Sequence, residues 1–370
     1  MARELDLGGS ERQLAAIAKA LDRSKFEPIA GCFRPAGLRG EELQGAGVEI
    51  VSFPVYSFAS AQAAAGAWKL ARFIRRRGIR LVHAFDYPLT VFAIPVGRFF
   101  TRAAVVSSQR AHRELIPPRY QRLVRLTDRW ADGIVVNCDF IRRHLEQDQG
   151  VASARVRLCY NGIDLGEFCP GDSPRPADLP RDALVIGVVC ALRPEKNLRS
   201  LLEAFARIRS ARAGLKLVIV GSGPERDPLQ SLARELRIAA DCVFAPASAQ
   251  VAGWLRAIDI FVLPSRSEAL SNALMEAMAC GCCAVASNVG GNPELVRHGE
   301  TGLLFEAGDV SGLSATLALL MGDASLRRRL AAGGMRWVRE RFSIRSSAKR
   351  MEQIYTELIE RRAGLPPARE

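Results

Sequence analysis

The sequence predicts an α/β fold with parallel sheets, divided into two domains. Short apolar segments alternate with segments of helical periodicity along the chain, which is typical of parallel sheets covered by helices. The chain has 370 residues, and domains usually contain about 100–200 residues each. A composition that is 48% hydrophobic and 25% charged is that of a folded globular protein and excludes a disordered or collagen-like chain.

In the first half of the chain, four apolar segments predict buried strands. Between them, a helix is expected at Ala61–Arg77, because Gly78 can end it and basic residues lie at the negative end of its dipole. The expected strands are Glu49–Phe53, Ile79–His83, Ala104–Ser108 and Gly133–Asn137.

The second half repeats this alternation. The expected strands are Leu184–Cys190, Leu215–Val220, Cys242–Phe244, Ile258–Leu263 and Cys283–Ser287. The expected helices are Leu198–Ala211, Pro228–Leu236, Ser271–Ala279 and Leu326–Arg341.

A proline-rich stretch predicts the domain boundary. Residues 166–182 contain prolines at 170, 174, 176 and 180, which is a linker composition. We therefore expect an N-terminal domain at 1–168, a linker at 169–182, a second domain at 183–345, and a C-terminal helix with a frayed tail at 346–370.

The first strand of the N-terminal domain looks incomplete. Gly8-Gly9 resembles the turn that leaves a first strand, but only Met1–Leu7 precede it, and three of those residues are charged. Such a segment makes a poor central strand. Either the strand is very short or the chain begins downstream of the natural start, which would weaken this domain.

Positive charge is concentrated in one part of the chain. The net charge is +13, and between Lys69 and Arg129 fourteen Lys and Arg residues stand against three Asp and Glu. Such a patch can attract nucleic acid, an anionic membrane surface or a phosphorylated substrate, although a solvated basic face is the plainer interpretation. No nucleic-acid-binding module surrounds the patch, so nucleic acid is not expected as a partner.

The sequence favours a cytoplasmic protein. The longest uncharged run, Ile50–Trp68, contains three Ser, a Gln and a Pro and is a poor membrane span. A secretory signal is not visible. Nine cysteines in such a chain are expected to be reduced thiols.

The richest motif is Leu263–Leu304, in which a predicted strand is followed by a polar loop and a helix. Glu268 and Glu276 are eight residues apart, so they lie on nearly the same helical face. The amides of Leu270, Ser271 and Asn272 near the helix start can bind a diphosphate or a sugar oxygen. Glu276 can accept two hydrogen bonds from a ribose diol. Two solvent-facing glutamates on an amphipathic helix are the plainer interpretation.

Candidate phosphate-binding residues follow two further predicted strands. In Val189–Leu198, Lys196 precedes a helix and can neutralise a phosphate, with Arg193 as a second cation; an exposed charged turn is the alternative. In Val218–Arg226, Gly221 and Gly223 allow close approach of a phosphate or sugar. The third glycine of a dinucleotide fingerprint would fall at Arg226, which argues against a nicotinamide or flavin enzyme.

Other candidates are less specific. Gly8-Gly9 opens a helix or is a plain turn. His83 ends a predicted strand, where the clefts of open α/β sheets lie, and His112 follows another strand, although a single histidine is more often structural. Cys280, Cys282 and Cys283 have no second ligand pair at zinc spacing, and no Asp-x-Asp motif occurs. We therefore expect no metal and no cofactor.

Taken together, these stretches resemble glycosyltransferase family 4, a group of retaining enzymes with the GT-B fold. The resemblance runs in order through nearly the whole chain, and the Glu-x7-Glu segment is its most specific part. The matching stretches are GGSERQL, LVHAFD, VRLCYNGIDLGEF, LRPEKNLRSLLEAF, LVIVGSGPE, SEALSNALMEAMACG and GNPELVRHGETGLL. The resemblance implies two Rossmann-like domains whose parallel sheets face a central cleft, with a C-terminal helix that returns to the N-terminal domain.

The resemblance also implies roles for individual residues. Glu276 would bind the donor ribose, and Glu268 would contact the sugar near its reacting face. Lys196 would hold the diphosphate, Gly9 would lie beneath it, and the amides of 270–272 would bind hydroxyls and phosphate.

Two departures from the family pattern affect these roles. Ala191 stands where the family often has an arginine, so either Arg193 substitutes for it or the diphosphate is held less tightly. Gln109-Arg110 stands where some members have a catalytic histidine, which leaves His83 and His112 as candidates for that role. We expect His83 to be catalytic and Arg110 and His112 to lie on the acceptor side.

The expected activity is that of a metal-independent, hexosyltransferase-type enzyme that moves a sugar from a nucleoside diphosphate sugar to a glycan, lipid-linked or small-molecule acceptor, with retention. Polysaccharide biosynthesis and peripheral contact with an anionic inner membrane face are further expectations. The alternatives are a nucleotide-sugar epimerase on the same fold and a catalytically inactive nucleotide- or glycan-binding paralogue.

Overall fold

The computed structural model describes residues 1–6, 8–58, 60–171, 176, 179–180, 182–248 and 250–364. These residues form two compact units. Unit 1 contains residues 1–162 together with the segment that begins at Ile344, and unit 2 contains Ile163–Ser343. Half of the predicted linker, including Pro174, and residues 365–370 of the predicted tail lie outside the described residues.

Unit 1 is built on parallel strands. Its two paired groups have the strand orders β3-β2-β1 and β4-β5-β6-β7. The Phe85 N–H donates to the Met1 carbonyl oxygen at 2.9 Å, which links β1 to the chain at the end of β4. The strands are β1 (Ala2–Glu4), β2 (Ile29–Arg34), β3 (Glu49–Ser52), β4 (Leu81–Ala84), β5 (Ala104–Gln109), β6 (Gly133–Val136) and β7 (Val156–Leu158).

The first strand is short, as one of the two interpretations of the sequence predicts. Only Ala2–Glu4 form β1, and two of its residues pair with β2. The Arg3 N–H also donates to the Asp86 carboxylate at 2.9 Å. These contacts hold the short strand between β2 and the segment that follows β4.

Helices connect the strands of unit 1 and begin at identifiable caps. Ser60 caps α3 by accepting from the Ala63 N–H at 3.2 Å, and Asp86 caps α4 by accepting from the Leu89 N–H at 3.1 Å. Gly78 follows α3 with φ +59°, the left-handed conformation expected at the end of a helix. The helices are α1 (Gly9–Ala20), α2 (Leu38–Gly45), α3 (Ala61–Arg76), α4 (Tyr87–Phe100), α5 (Pro118–Trp130) and α6 (Asp139–Arg143).

Unit 2 contains a parallel sheet with strand order β10-β9-β8-β11-β12-β13. Its central strands are continuous apolar runs, because helices cover both faces of such a sheet. The strands are β8 (Leu184–Val189), β9 (Leu215–Val220), β10 (Cys242–Ala245), β11 (Ile260–Leu263), β12 (Cys283–Ser287) and β13 (Leu303–Phe305). The helices are α7 (Leu198–Ile208), α8 (Arg226–Glu235), α9 (Val251–Arg256), α10 (Asn272–Ala279), α11 (Asn292–Leu295), α12 (Val310–Gly322) and α13 (Ala324–Arg341).

The last helix, α14 (Ile344–Arg362), belongs to unit 1. Met351 and Ile354 of this helix pack with Ile17 of α1 and with Val106 and Val135 of the sheet in one buried cluster. Burial of such side chains stabilises each by roughly 1.5–3 kcal/mol relative to exposure. The helix therefore covers one face of β5 and β6.

The predicted elements are present, with ends that differ by up to three residues. The predicted helix Leu198–Ala211 ends at Ile208 and continues as a 3₁₀ turn at Arg209–Ala211. The strands β2 and β13 and the helix α12 are among the elements that the sequence analysis did not predict. Of the described helices, none combines the length and the apolar character needed to span a membrane.

Candidate active site

The candidate site of unit 2 lies where the strand order of its sheet reverses. The order β10-β9-β8-β11-β12-β13 is that of doubly wound folds, and the reversal falls between β8 and β11. Ligands of open parallel sheets bind outside the carboxyl ends of the strands at this point. Lys196 follows β8 and Glu268 follows β11, so the topology brings both predicted residues to this edge.

Lys196 and Glu268 form a partly buried ion pair at the reversal point. Lys196 Nζ lies 2.6 Å from Glu268 Oε1, and the two side chains are 20% and 9% exposed. Burial alone would lower the pKa of Lys196, but the adjacent Glu268 carboxylate raises it above its ordinary value. The lysine is therefore a fixed cation near neutral pH.

Main-chain and side-chain hydrogen bonds join the two loops that carry this pair. The Arg266 N–H donates to the Glu195 carbonyl oxygen at 2.8 Å, and Asn197 Nδ2 donates to the Pro264 carbonyl oxygen at 3.3 Å. Asn197 has φ +52°, which turns the chain sharply after the lysine. The position of Lys196 therefore depends on the loop that carries Glu268.

Serine side chains that the sequence analysis did not select support Glu268. Ser265 Oγ donates to Glu268 Oε1 at 2.7 Å, and Ser287 Oγ donates to the Ser265 carbonyl oxygen at 2.6 Å. Their position at the ends of β11 and β12 is the only signal in the sequence that could have identified them. Together they orient the carboxylate toward the lysine.

The predicted ribose-binding segment is α10 and the turn before it. Ser271 caps the helix and accepts from the Leu274 N–H at 3.3 Å, while Leu270 and Ser271 are both buried. Asn272 is the first residue of α10, and Glu276 lies within it and is 1% exposed. Glu276 is thus a buried carboxylate, and the interpretation of a solvent-facing glutamate is wrong.

Gly221 and Gly223 pack against the loop that leads to Lys196. They have φ +152° and +154°. A Cβ at these positions would lie 1.9 Å from the Cys190 carbonyl oxygen and 2.3 Å from the Leu192 carbonyl oxygen. The two glycines therefore let the β9 turn approach the backbone of residues 190–192.

Arg193 is the most exposed of the predicted cations. Its side chain is 64% exposed, and its contact with Glu195 is 4.0 Å long. Arg193 precedes the 3₁₀ turn Pro194–Lys196. The structure thus keeps this side chain on the same loop as Lys196 but outside the buried ion pair.

In unit 1, Gly9 is the first residue of α1. The Glu11 carboxylate lies close to the backbone of Gly8: a Cβ on Gly8 would be 2.0 Å from Glu11 Oε2. Burial is the main reason that the pKa of Glu11 is raised, and the Asp86 and Glu4 carboxylates raise it further. A hydrogen bond from the Glu11 backbone N–H partly offsets this rise. The role of Gly9 beneath a diphosphate stays a prediction.

His83 is a buried residue with both ring nitrogens in hydrogen bonds. Nδ1 lies 2.7 Å from the Tyr355 hydroxyl, and Nε2 lies 2.7 Å from Ser108 Oγ. Burial, with smaller contributions from the terminal amino group and Arg110, lowers the pKa of His83 well below its ordinary value. This neutral ring ties β4, β5 and α14 together, so its geometry is explained by a structural role.

The two acceptor-side candidates lie in different surroundings. Arg110 follows β5 and donates to Asn161 Oδ1 at 2.7 Å. His112 stacks on His144 with ring centroids 4.2 Å apart. Burial and the neighbouring His144 lower the pKa of His112.

The three neighbouring cysteines are buried thiols. Cys280, Cys282 and Cys283 lie where α10 turns into β12, and Cys282 Sγ donates to the Leu255 carbonyl oxygen at 3.1 Å. Burial raises the pKa of Cys280 and Cys283 to about 12. They are protonated near neutral pH, and the thiolate is the form that binds metals.

A cavity of about 540 Å³ lies in unit 1. Its lining residues lie on or beside β2, β4, α1, α3 and α14, and they include Phe85, which follows the carboxyl end of β4. The ring of Phe85 also stacks on Arg110. The cavity therefore reaches the neighbourhood of Arg110.

Two family models match the chain. Residues 7–167 match the model described as Glycosyltransferase Family 4, and residues 172–337 match the model described as Glycosyl transferases group 1. A D-inositol 3-phosphate glycosyltransferase of Corynebacterium efficiens is 32% identical over 95% of this chain and 91% of its own length. The chain therefore belongs to the family 4, or group 1, glycosyltransferases, which confirms the predicted resemblance.

Other curated relatives match over a smaller part of their length. A D-inositol 3-phosphate glycosyltransferase of Thermomonospora curvata is 35% identical over 61% of this chain and 57% of its own length. The chain thus spans little more than half of the length of this relative.

Solved structures show the same fold. The Anabaena protein HepE, crystallised in complex with UDP, has a TM-score of 0.82 at 20% identity, over 96% of this chain and 98% of its own. This likeness confirms the predicted GT-B fold.

The turn at Gly290 is expected to control the position of Glu268. Gly290 has φ +57°, and a Cβ there would lie 1.8 Å from the Glu268 carbonyl oxygen. Left-handed backbone costs an ordinary residue about 1–2 kcal/mol, and the clash adds about 1–3 kcal/mol. Gly290→Ala should therefore lower the free energy of unfolding, measured by urea denaturation, by the sum of both effects.

Gly299→Ala is the matched control for this substitution. Gly299 has φ +81°, but a Cβ there meets nothing within 4 Å. It should show only the backbone effect of about 1–2 kcal/mol. Equal losses of stability in the two variants would show that the close approach to Glu268 is unimportant.

Proposed function

We propose that this protein transfers a sugar from a nucleoside diphosphate sugar to an acceptor hydroxyl, with retention of configuration at the anomeric carbon. The observation that carries the proposal is the Lys196–Glu268 pair at the carboxyl ends of β8 and β11. A fixed cation at this point of a doubly wound sheet suits a diphosphate. The curated relatives are named as glycosyltransferases, which supports the same reaction class.

Lys196 acts on the leaving group in this proposal. An ammonium has three hydrogen-bond donors, and Glu268 accepts one of them. The others can meet the diphosphate oxygens on which negative charge develops as the bond to the anomeric carbon breaks. Removal of one such electrostatic contact typically lowers the rate about 10²–10³-fold.

The remaining residues bind the donor. Glu276 accepts from the ribose hydroxyls, Glu268 contacts the sugar, and the segment Leu270–Asn272 binds hydroxyls and phosphate. Arg193 supplies a second, mobile cation on the Lys196 loop. The acceptor oxygen forms the new bond from the face that the diphosphate leaves, and the departing phosphate oxygen takes the acceptor proton. The reaction needs neither a metal nor a cofactor, so Lys196 and Arg193 provide the positive charge.

Lys196→Ala and Glu276→Ala are expected to lower the rate of transfer strongly while the chain stays folded. We expect a fall of about 10²–10³-fold for Lys196→Ala, because its charge on the leaving group is lost. The measurement is product formation from a panel of nucleoside diphosphate sugars and acceptors, with the thermal midpoint as the check on folding. The anomeric coupling constant of the product, measured by NMR, tests retention.

Lys216→Ala is the matched control. Lys216 is also an ion-paired lysine of unit 2, 3.2 Å from Asp241 and 21% exposed, but it lies on β9 away from the reversal point. Its loss should change the rate by less than about twofold, as is usual for a site away from the chemistry. Full activity in Lys196→Ala would contradict the proposal. Conversion of the donor in the absence of an acceptor would favour an epimerase. Binding of the donor without any turnover would favour an inactive paralogue.

We further propose that unit 1 docks on an anionic membrane surface. Most of the exposed large apolar side chains of the described residues lie in the basic stretch of unit 1. On α5, Leu123 and Leu126 are 42% and 41% exposed, and the arginines at 119, 122, 125 and 129 are exposed beside them. Apolar insertion together with about 1 kcal/mol for each basic residue near the surface favours such binding.

Vesicle binding tests this docking. The double substitution Leu123→Glu with Leu126→Glu should weaken binding to phosphatidylglycerol vesicles about tenfold or more at low salt, because it removes the apolar contact and adds repulsion. Leu319→Glu, at a 52% exposed leucine of unit 2, is the control and should bind as the unsubstituted protein does. Equal binding of all three proteins, or no binding at low salt, would contradict membrane docking.

A further inference from the structure

Arg110 lies at the carboxyl end of β5 in an unusual electrostatic setting. Its guanidinium stacks over the Phe85 ring, 4.7 Å from the centroid, and Nη1 donates to Asn161 Oδ1 at 2.7 Å. The residue is partly exposed, but its Nε is inaccessible to solvent and has no hydrogen-bond partner in the described part of the chain. One face of this cation is therefore fixed while one donor is unused.

The charge of Arg110 is not neutralised by any of the residues that the structure describes. Within the described ranges, no carboxylate lies within 4.0 Å of its guanidinium. Two buried arginines of unit 1 differ from it: Arg113 pairs with Asp128, and Arg39 pairs with Glu42. Burial lowers the pKa of Arg110 to about 10, so the side chain stays protonated near neutral pH. A cation that is largely removed from water and has no counter-ion is destabilising unless an anion joins it.

The neighbouring strand end carries a second unsatisfied group. Asn137 follows β6, is 2% exposed, and its Oδ1 has no hydrogen-bond partner in the described residues. Gln109 pairs with Val136 in the sheet, so Arg110 and Asn137 each lie one residue beyond the paired ends. An unused donor on a cation and an unused acceptor thus lie on adjacent strands at one edge.

We propose that Arg110 binds a phosphate or carboxylate group of the acceptor, and that Asn137 accepts a hydrogen bond from one of its hydroxyls. This inference rests on the proposed transferase function and adds the chemical class of the acceptor, a hydroxylated anion. A guanidinium presents paired N–H donors that match both oxyanions. The donor diphosphate has its own cation in Lys196, so the charge of Arg110 is available to a second molecule.

The first test is a titration of the protein with inorganic phosphate at constant ionic strength. The readout is the ¹H–¹⁵N signal of Arg110 Nε, assigned by its absence in Arg110→Met. We expect this signal to move and saturate at millimolar phosphate, with the same response in the presence of saturating UDP. No movement would overturn the proposal, and so would displacement of phosphate from Arg110 by UDP, because the anion would then be the donor diphosphate.

Substitutions extend the test to affinity. Arg110→Met should weaken the binding of phosphate to the protein about tenfold or more, since a charge-assisted hydrogen bond is lost. The affinity is measured by calorimetry. Arg110→Lys keeps the charge without the planar fork and should be intermediate, which covers the case that the methionine variant fails to fold. Arg119→Met is the control, because Arg119 is exposed and also stacks on an aromatic ring, that of Tyr120 at 5.0 Å. Equal weakening in Arg119→Met would overturn the assignment.

The transfer assay tests the acceptor class. The unsubstituted protein should prefer the monophosphate of a polyol over the polyol itself about 100-fold in kcat/KM, and Arg110→Met should reduce this preference to within about threefold. An unchanged preference would overturn the inference. Nucleoside diphosphate binding is measured separately: its absence, with phosphate still bound at Arg110, would contradict the proposed function and leave the anion site supported.

Discussion

The ion pair between Lys196 and Glu268 is the interaction on which the candidate site depends. It joins two loops that are 72 residues apart in the sequence but adjacent in space, because β8 and β11 are neighbours at the reversal of the sheet. Neither side chain is held by its own loop alone. The Arg266–Glu195 and Asn197–Pro264 hydrogen bonds connect the loops, and Ser265 orients the carboxylate. The result is a lysine whose charge is fixed before any ligand binds, which is the preorganisation that electrostatic catalysis requires.

The cations at the strand ends of the two units have different partners. In unit 2 the buried lysine has a carboxylate partner that fixes its direction. In unit 1, Arg113 is neutralised by Asp128, whereas Arg110 has an aromatic ring and a carboxamide as neighbours. A lysine that is paired with one carboxylate still has N–H donors for a diphosphate. A cation without a carboxylate partner favours the binding of a separate anion. This difference supports the proposed donor site in unit 2 and the proposed anionic acceptor site in unit 1.

Local sequence patterns predicted the central strands and the residues that lie at their ends. Leu215–Val220 and Cys283–Ser287 have the predicted bounds, because mostly apolar runs followed by glycine or polar turns leave little alternative. The strand β2, Ile29–Arg34, was missed, since Gly31 and Arg34 leave it only four apolar residues. The helix α12 was missed because Val310–Gly322 is apolar on most sides and shows no clear amphipathic period.

The pairing of residues in the site could not be predicted in the same way. Lys196 and Glu268 were each selected from their position after a strand, but their direct contact depends on the strand order. Among the described residues, Arg110 has no carboxylate beside it and contacts Asn161, 51 residues away. Both features depend on tertiary packing, which the spacing of residues in the sequence does not show. For His83, the position at a strand end predicted a catalytic role. In the fold, however, Tyr355 and Ser108 are hydrogen-bond partners of its two ring nitrogens, which supports a structural role.

The most direct measurement is a crystal structure of the protein soaked with UDP and, in parallel, with GDP and ADP. The account predicts that one of them binds with its diphosphate within hydrogen-bond distance of Lys196 Nζ and its ribose against Glu276. A nucleoside diphosphate bound away from the carboxyl ends of β8 and β11, with Lys196 still directed only at Glu268, would contradict the account.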